Sequence, residues 1–284
     1  MSKNMVLGSE VHTMDSVQTG RTYRVTVSLP LGYDAPADAG FPFNNLPESW
    51  ATVYVLDGNW YADMVAGMIR PTAWCGGITD AIVVGIGYPQ DDNPVEAIRT
   101  SFIRRDLDLT PIADADLEAE MTALHRYPTP KGDAGSFLAF LQQELIPFVE
   151  NTYRANSEQR ILAGHSYGGL FASYALFETP ELFHSWIIGS PTLAYGERFV
   201  FQKEATYAQE NDDLVADVYL YAGDEEIVSL GDTTLTDTLR FAALLESRQY
   251  KGLSLKKRLF MEQNHCAVVT PGFQWGLMNT LKRG

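Results

Sequence analysis

Ser166 lies in the segment Gly164-His-Ser-Tyr-Gly-Gly169, which joins one apolar run to a second apolar run with helical spacing. This G-x-S-x-G pattern is typical of a nucleophile elbow, a tight turn from a strand into a helix. Small residues at the flanking glycine positions permit the strained backbone that the turn requires. The turn also places the serine hydroxyl at the carboxyl edge of a sheet, above the first N–H groups of the helix. We therefore predict that Ser166 is a nucleophile.

A serine hydroxyl is a poor nucleophile at neutral pH and needs an imidazole to accept its proton. His265 is the candidate for this base, because among the five histidines only His265 follows the last predicted strand. The others lie in an opening hairpin, in an irregular segment, inside the elbow and at the wrong edge of the sheet: His12, His125, His165 and His184. Ligands of an open α/β sheet bind beyond the carboxyl ends of its strands, so we expect His265 near Ser166.

The imidazole in turn needs a carboxylate that fixes its tautomer and stabilises its charged form. Three consecutive carboxylates follow a predicted strand: Asp224, Glu225 and Glu226. If one of them is the acid, the chain order is serine, acid, histidine, which is the order of α/β hydrolases. The alternative is a solvated charge cluster in a turn. The residues alone leave the choice among the three carboxylates open.

Acyl transfer through a serine also needs two backbone N–H groups that stabilise the oxyanion. Tyr167, the residue after the nucleophile, is expected to supply one of them. Asn59 is expected to supply the other, because it lies in the loop Asp57-Gly-Asn-Trp60 that follows a buried strand. Trp60, Tyr61 and Tyr167 would then border the site, where their rings would hold an acyl or aromatic group.

These residues must be positioned by a fold in which strands and helices alternate. Apolar patterns predict strands at 9–16, 21–29, 51–56, 81–88, 159–164, 184–188, 216–222 and 253–260. Helical spacing predicts helices at 61–69, 136–153, 167–178, 196–210, 233–249 and 271–282. The alternation implies an α/β fold with a mostly parallel twisted sheet, an antiparallel N-terminal edge hairpin and helices on both faces. The irregular segment at about 89–135 is predicted to be a binding loop or lid.

Composition and charge narrow the class of protein. The 284 residues are 45% hydrophobic and carry a net charge of −15, so nucleic acid and anionic membranes are poor partners. No apolar run is long enough for a spanning helix. Because the N-terminus also shows no apolar segment typical of a secretory signal, we expect a cytoplasmic protein.

Cys75 and Cys266 form no C-x-x-C pair, and we expect both to be buried apolar residues rather than zinc ligands.

The segments that carry a resemblance to a known family are 132–133, 137–148, 164–171 and 189–191. Together they resemble the Putative esterase family of α/β hydrolases, which includes siderophore trilactone esterases, feruloyl esterases, S-formylglutathione hydrolase and mycolyltransferases. Leu56-Asp-Gly-Asn59 and Asp108-Leu-Thr-Pro111 are similar to motifs of the siderophore esterase branch. The resemblance implies a single α/β-hydrolase domain over residues 1–284. In this family the acid commonly stands three residues after a strand-end glycine, which implies Glu226, with Asp224 as second choice.

The residues and the resemblance together predict a serine esterase that acts on a small-molecule ester through an acyl-enzyme. Such a site needs neither a metal ion nor an organic cofactor. Arg104 and Arg105 are candidates to bind an anionic or catechol-type group by bidentate hydrogen bonds, the alternative being arginines of a solvated loop. Two other functions stay open: an acyltransferase with the same triad, and an inactive binding protein with the hydrolase fold. The sequence predicts neither the acyl and alcohol specificity nor the oligomeric state.

Overall fold

The computed structural model describes residues 8–36, 38, 40, 46–226 and 233–283. Within these residues, eight strands form one sheet. The strands are β1 Ser9–Asp15, β2 Thr22–Ser28, β3 Trp50–Val55, β4 Ile82–Gly87, β5 Ala155–His165, β6 Ser185–Gly189, β7 Ala216–Glu225 and β8 Leu253–Asn264. Each predicted strand is present, with ends that differ from the prediction by a few residues.

The strand order across the sheet is β1-β2-β4-β3-β5-β6-β7-β8. β1 and β2 pair in antiparallel fashion, as do β2 and β4, and all other neighbours are parallel. The predicted mostly parallel sheet with an antiparallel N-terminal edge is therefore confirmed. Because the parallel strands all end at one edge, residues that follow β3, β5, β6, β7 and β8 are brought to the same side of the molecule.

Helices cover both faces of the sheet, as predicted. They are α1 Gly58–Trp74, α2 Pro94–Asp108, α3 Ala115–His125, α4 Ala134–Phe140, α5 Ile146–Thr152, α6 Tyr167–Glu178, α7 Tyr195–Glu210, α8 Thr234–Arg248 and α9 Val269–Thr280. α1 and α9 contribute to the apolar core on one face, and α4 to α8 contribute to the core on the other. Successive residues of β5 pack in different cores. Leu162 packs in the core that contains residues of α4 to α8, and Ile161 and Ala163 pack in the core that contains residues of α1 and α9.

The segment at about 89–135 is more regular than the sequence predicted. It contains α2 and α3, so the prediction that it is irregular is wrong. Asn93 caps α2 by accepting a hydrogen bond from Val95 N at 3.0 Å, and Asp114 caps α3 by accepting one from Leu117 N at 3.0 Å. The buried residues of α2 are polar, and none of the α3 side chains at residues 115–124, which the structure describes, is buried. Neither helix therefore has the apolar stripe from which an amphipathic helix is predicted.

The two cysteines are exposed free thiols, so the prediction that they are buried is wrong. Cys75 directly follows the last residue of α1, and Cys266 lies in the turn between β8 and α9. Both positions are ends of elements rather than core-facing positions within them. In the part of the chain that the structure describes, no helix has the length and apolar character needed to cross a membrane.

α1 lies very close to β4. A Cβ atom on Gly58 would lie 2.5 Å from the carbonyl carbon of Gly85, and a Cβ on Gly85 would lie 2.3 Å from Ala62 Cβ. Real side chains are excluded at such distances, so the approach depends on glycine at both positions. The contact fixes the N-terminus of α1 at the carboxyl edge of the sheet, beside the end of β3.

We expect Gly85→Ala to lower the free energy of unfolding by about 1–3 kcal/mol, because the added methyl group forces α1 away from β4. Gly67→Ala is the matched control, since Gly67 is exposed on the same helix and an added Cβ meets nothing within 4 Å. The free energy of unfolding of the control should rise by about 0.5–1 kcal/mol, because alanine is a better helix former than glycine. Urea unfolding measures both values. A Gly85→Ala variant as stable as the unaltered protein would contradict the close packing.

Candidate active site

Ser166 occupies the turn between β5 and α6 with φ 60° and ψ −118°. A positive φ is unfavourable for a residue that carries a side chain, and such strain is concentrated at functional sites. A Cβ on Gly164 would lie 2.3 Å from Gly168 O, so the tight turn depends on glycine at position 164. The structure therefore has the strand, strained serine and helix that the sequence pattern predicted.

Glu226 and His265 form a hydrogen-bonded pair beyond the ends of β7 and β8. His265 Nδ1 donates to Glu226 Oε2 at 2.7 Å. Glu226 Oε1 accepts from Ser190 Oγ at 2.5 Å and from Gly223 N at 2.9 Å. Burial acts to raise the pKa of Glu226, but the hydrogen bonds from His265, Ser190 and Gly223 outweigh burial and hold this pKa below its ordinary value. Glu226 is thus a buried carboxylate that is ionised at neutral pH.

The neighbouring carboxylates point elsewhere. Asp224 Oδ1 accepts a hydrogen bond from Gln263 N at 3.2 Å, and Glu225 is exposed at the end of β7. Of the three consecutive carboxylates, the geometry favours Glu226 as the acid, as the family resemblance implied. Ser190 was not among the predicted site residues, and its signals in the sequence are its position directly after a strand end and its place in the segment 189–191 that contributes to the family resemblance.

His265 lies beside the elbow. Its ring centroid is 4.7 Å from that of His165, the residue before Ser166. Burial, with a smaller contribution from His265, lowers the pKa of His165 to about 3, which makes His165 a poor proton acceptor. Among the described contacts, no hydrogen bond joins Ser166 Oγ to His265. Such bonds are often long before substrate binds and shorten in the complex.

Asn59 and Tyr167 lie in the first turns of α1 and α6, where backbone N–H groups have no partner within their own helix. The side chain of Asn59 ties α1 to the end of β4, because Nδ2 donates to Tyr88 O at 2.9 Å and Oδ1 accepts from Tyr88 N at 2.7 Å. Both predicted oxyanion donors therefore stand at helix N-termini, which favour negative charge. That the backbone N–H groups of Asn59 and Tyr167 bind the same oxyanion stays a prediction.

Asp57 and Arg105 form a buried ion pair at the start of α1. Asp57 has a φ of 52° and is only 6% exposed. Arg105 Nε donates to Asp57 Oδ1 at 2.8 Å and Nη2 donates to Oδ2 at 2.9 Å. Burial acts to lower the pKa of Arg105, but the charge and hydrogen bonds of Asp57, together with the charge of Asp106, outweigh burial and raise this pKa. The guanidinium carbon also lies 5.3 Å from the centroid of the Tyr167 ring. One side chain of α2 thus contacts both segments that carry a predicted oxyanion donor.

The two arginines predicted to bind a substrate group already have partners within the protein, and their role in substrate binding stays a prediction. Two nitrogens of Arg105 are bonded to Asp57, and Arg104 Nη1 donates to Thr22 O at 2.8 Å. Arg105 is the counter-ion of a buried carboxylate, and the two nitrogens that bond to Asp57 are not free to bind a substrate group. The pair is needed because an unpaired Asp57 carboxylate would be costly to bury. The pairing could not be predicted from the sequence, since it joins two segments that are far apart in the chain.

The aromatic residues at the site differ in exposure. Trp60 is 52% exposed, and its ring centroid lies 6.2 Å from that of Phe102 on α2, which is 36% exposed. Tyr61 packs instead against Phe273 and His165, with centroid distances of 5.6 and 6.5 Å. The aromatic surface open to solvent beside Asn59 is therefore formed by Trp60 and Phe102. Phe102 was not predicted, because its segment was interpreted as irregular.

Charged groups around the elbow are paired with one another. Besides the Glu226 and Asp57 pairs, Asp106 Oδ2 lies 2.5 Å from Nζ of the buried Lys131. In the described ranges, no group of three or more His, Cys, Asp or Glu side chains is arranged to hold a metal ion.

Comparison with known proteins assigns the family. The model of the family described as Putative esterase matches residues 107–266, which is more than half of the chain and includes Ser166, Glu226 and His265. The chain belongs to this family. It is 30% identical over 201 residues to the ferri-bacillibactin esterase BesA of Bacillus subtilis, covering 69% of this chain and 62% of the relative. It is 32% identical over 181 residues to the siderophore enterobactin esterase of Emericella nidulans, covering 63% and 56%.

Solved structures are similar to the whole fold of this esterase family member. The crystal structure of the BES protein from Bacillus cereus has a TM-score of 0.80 at 24% identity and covers 100% of this chain and 98% of its own. The siderophore hydrolase EstB from Aspergillus nidulans has a TM-score of 0.78 at 21% identity, covering 99% and 97%. These likenesses confirm the α/β-hydrolase fold. The chain spans less than two thirds of the length of the curated relatives named above.

We expect Arg105→Lys to lower the free energy of unfolding by about 1–3 kcal/mol, because a single ammonium cannot replace both charge-assisted hydrogen bonds to the buried Asp57. Arg104→Lys is the matched control on the same helix, since its one hydrogen bond to the Thr22 carbonyl can be made by lysine. Denaturant unfolding of the two variants measures the difference. Equal stability of both would show that the bidentate bonding of Arg105 to Asp57 contributes nothing beyond what a lysine ammonium supplies.

Proposed function

We propose that this esterase family member is a serine esterase that hydrolyses a small-molecule carboxylic ester through an acyl-enzyme. The observation that carries the proposal is the buried Glu226 carboxylate, which accepts a hydrogen bond from His265 Nδ1 at 2.7 Å beside the strained Ser166. Because the proton of the neutral imidazole is on Nδ1 and is donated to the carboxylate, Nε2 is unprotonated. Nε2 can therefore accept the proton of the serine hydroxyl. The family membership supports the same reaction class.

In this proposal, Ser166 Oγ attacks the ester carbonyl while His265 Nε2 accepts its proton. The backbone N–H groups of Asn59 and Tyr167 stabilise the oxyanion of the tetrahedral intermediate. The intermediate collapses when His265 returns the proton to the leaving alcohol, which leaves an acyl group on Ser166. Water then attacks the acyl-enzyme with His265 Nε2 as the base, and His265 returns that proton to Ser166 Oγ as the bond from serine to the acyl group breaks and the carboxylic acid is released. Glu226 stays ionised and stabilises the imidazolium in both halves of the reaction.

The substrate class that we propose is an ester with an aromatic or siderophore-like acyl group. The relatives named above are esterases of ferri-bacillibactin and enterobactin, which supports a siderophore-like substrate. Trp60 and Phe102 offer a partly exposed pair of rings beside Asn59, which suits an aryl group. A net charge of −15 opposes long-range attraction of a highly anionic substrate, so recognition would depend on short-range contacts.

We expect Ser166→Ala to reduce kcat for p-nitrophenyl acetate by at least about 10³-fold, because the variant cannot form the acyl-enzyme. Ser247→Ala is the control, since this serine is exposed on α8 and lies outside the site. Circular dichroism should show that both variants are folded. Undiminished hydrolysis by Ser166→Ala would exclude the proposed mechanism.

We expect Trp60→Ala to lower kcat/KM for a feruloyl ester about five- to tenfold, because one ring that contacts the aryl group is lost. The value for an acetyl ester should change less than about twofold, since that substrate has no aryl acyl group. Trp74→Ala, at the other end of α1, is the matched control and should change neither value. An equal loss for both esters would assign Trp60 a role in folding rather than in recognition.

A further inference from the structure

Ser190 is a buried residue with an unfavourable backbone conformation. It directly follows β6, has 0% of its surface exposed, and has a φ of 37°. Positive φ favours glycine, so a serine there carries a conformational cost. The only other serine with positive φ among the described residues is Ser166. A strained and fully buried serine next to the proposed acid calls for a role for its hydroxyl.

The hydroxyl of Ser190 binds the side of Glu226 that faces away from His265. Ser190 Oγ donates to Glu226 Oε1 at 2.5 Å, and Gly223 N donates to the same oxygen at 2.9 Å. Glu226 Oε2 is thereby left to accept from His265 Nδ1 at 2.7 Å. With both oxygens engaged in different directions, rotation of the carboxylate breaks at least one charge-assisted hydrogen bond.

The backbone around Ser190 is attached to the strands on both sides. Ser190 N donates to Tyr221 O at 2.8 Å, which joins it to the strand that precedes Glu226. Gly189 O accepts from Ser166 N at 3.0 Å, and Thr192 N donates to Ser166 O at 3.3 Å. The turn at residues 189–192 therefore contacts the nucleophile through its backbone and the acid through the Ser190 hydroxyl.

We propose that Ser190 is a positioning residue that orients the Glu226 carboxylate toward His265 and fixes it relative to the Ser166 elbow. This inference rests on the proposed function for its effect on turnover, but the orientation of Glu226 can be measured without turnover. Loss of the hydroxyl leaves Oε1 with the Gly223 N–H alone. The buried carboxylate then rotates toward other donors, and the imidazole loses part of the contact that fixes its tautomer. The Ser190 hydrogen bond is also one of the contacts that hold the Glu226 pKa low.

Kinetics separate this role from a general effect on folding. Ser190→Ala and Ser190→Gly should each lower kcat about tenfold to a hundredfold, as expected for a lost hydrogen bond to a charged group, with KM within about twofold. Glycine suits the positive φ, so Ser190→Gly removes the hydroxyl without adding backbone strain. Ser185→Ala is the matched control, since Ser185 is buried at the other end of β6. Wild-type kcat in both Ser190 variants would overturn the inference.

A double-mutant cycle tests whether Ser190 acts through Glu226. In a Glu226→Gln background, Ser190→Ala should lower kcat by less than about twofold, because the carboxylate that it orients is already absent. If the full loss persists in that background, Ser190 acts by another route and the inference is overturned.

Proton NMR gives a readout that does not depend on hydrolysis. The His265 Nδ1 proton should give a downfield resonance in the unaltered protein and in Ser185→Ala, and this resonance should shift upfield or disappear in Ser190→Ala. An unchanged resonance in Ser190→Ala, or its absence from the unaltered protein, would overturn the inference. A protein that hydrolyses no ester but shows the expected change would contradict the proposed function while supporting the role of Ser190.

Discussion

The close approach of Gly164 to Gly168 is the constraint on which the site depends. It lets the chain leave β5 and enter α6 within one residue, and Ser166 is the residue held at positive φ. A side chain at Gly164 would collide with the backbone of Gly168, open the turn and move the hydroxyl away from the edge of the sheet. The helix dipole and free N–H groups of α6 are brought to the same point by the same turn. The backbone of this turn thus positions the nucleophile independently of its catalytic partners.

Two networks of polar contacts attach other strand ends to this turn. On one side, the turn after β6 binds the elbow through backbone hydrogen bonds and binds Glu226 through Ser190, and Glu226 binds His265. On the other side, Arg105 of α2 pairs with Asp57 at the start of α1 and lies over the Tyr167 ring. The parallel sheet brings the strand ends together, and these buried pairs set the directions of the side chains.

The sequence predicted the strands and most helices, because buried parallel strands and amphipathic helices have clear apolar patterns. It also brought Ser166 and His265 to one edge of the sheet, since each follows a predicted strand. The choice of Glu226 over Asp224 needed the family resemblance, and the hydrogen bond to His265 now supports it. Ser190, Phe102 and the partner of Arg105 were missed. Their roles depend on contacts between distant segments or on α2, which buries polar rather than apolar residues.

Whether Ser166 is an activated nucleophile is tested most directly by treating the protein with a fluorophosphonate and mapping the adduct by mass spectrometry of its peptides. Such reagents phosphylate a serine that an adjacent base activates. We expect one adduct, on Ser166, and slower labelling of the Glu226→Gln and His265→Ala variants. No adduct, or an adduct on a different residue, would contradict the assignment of Ser166 as the activated nucleophile of this elbow.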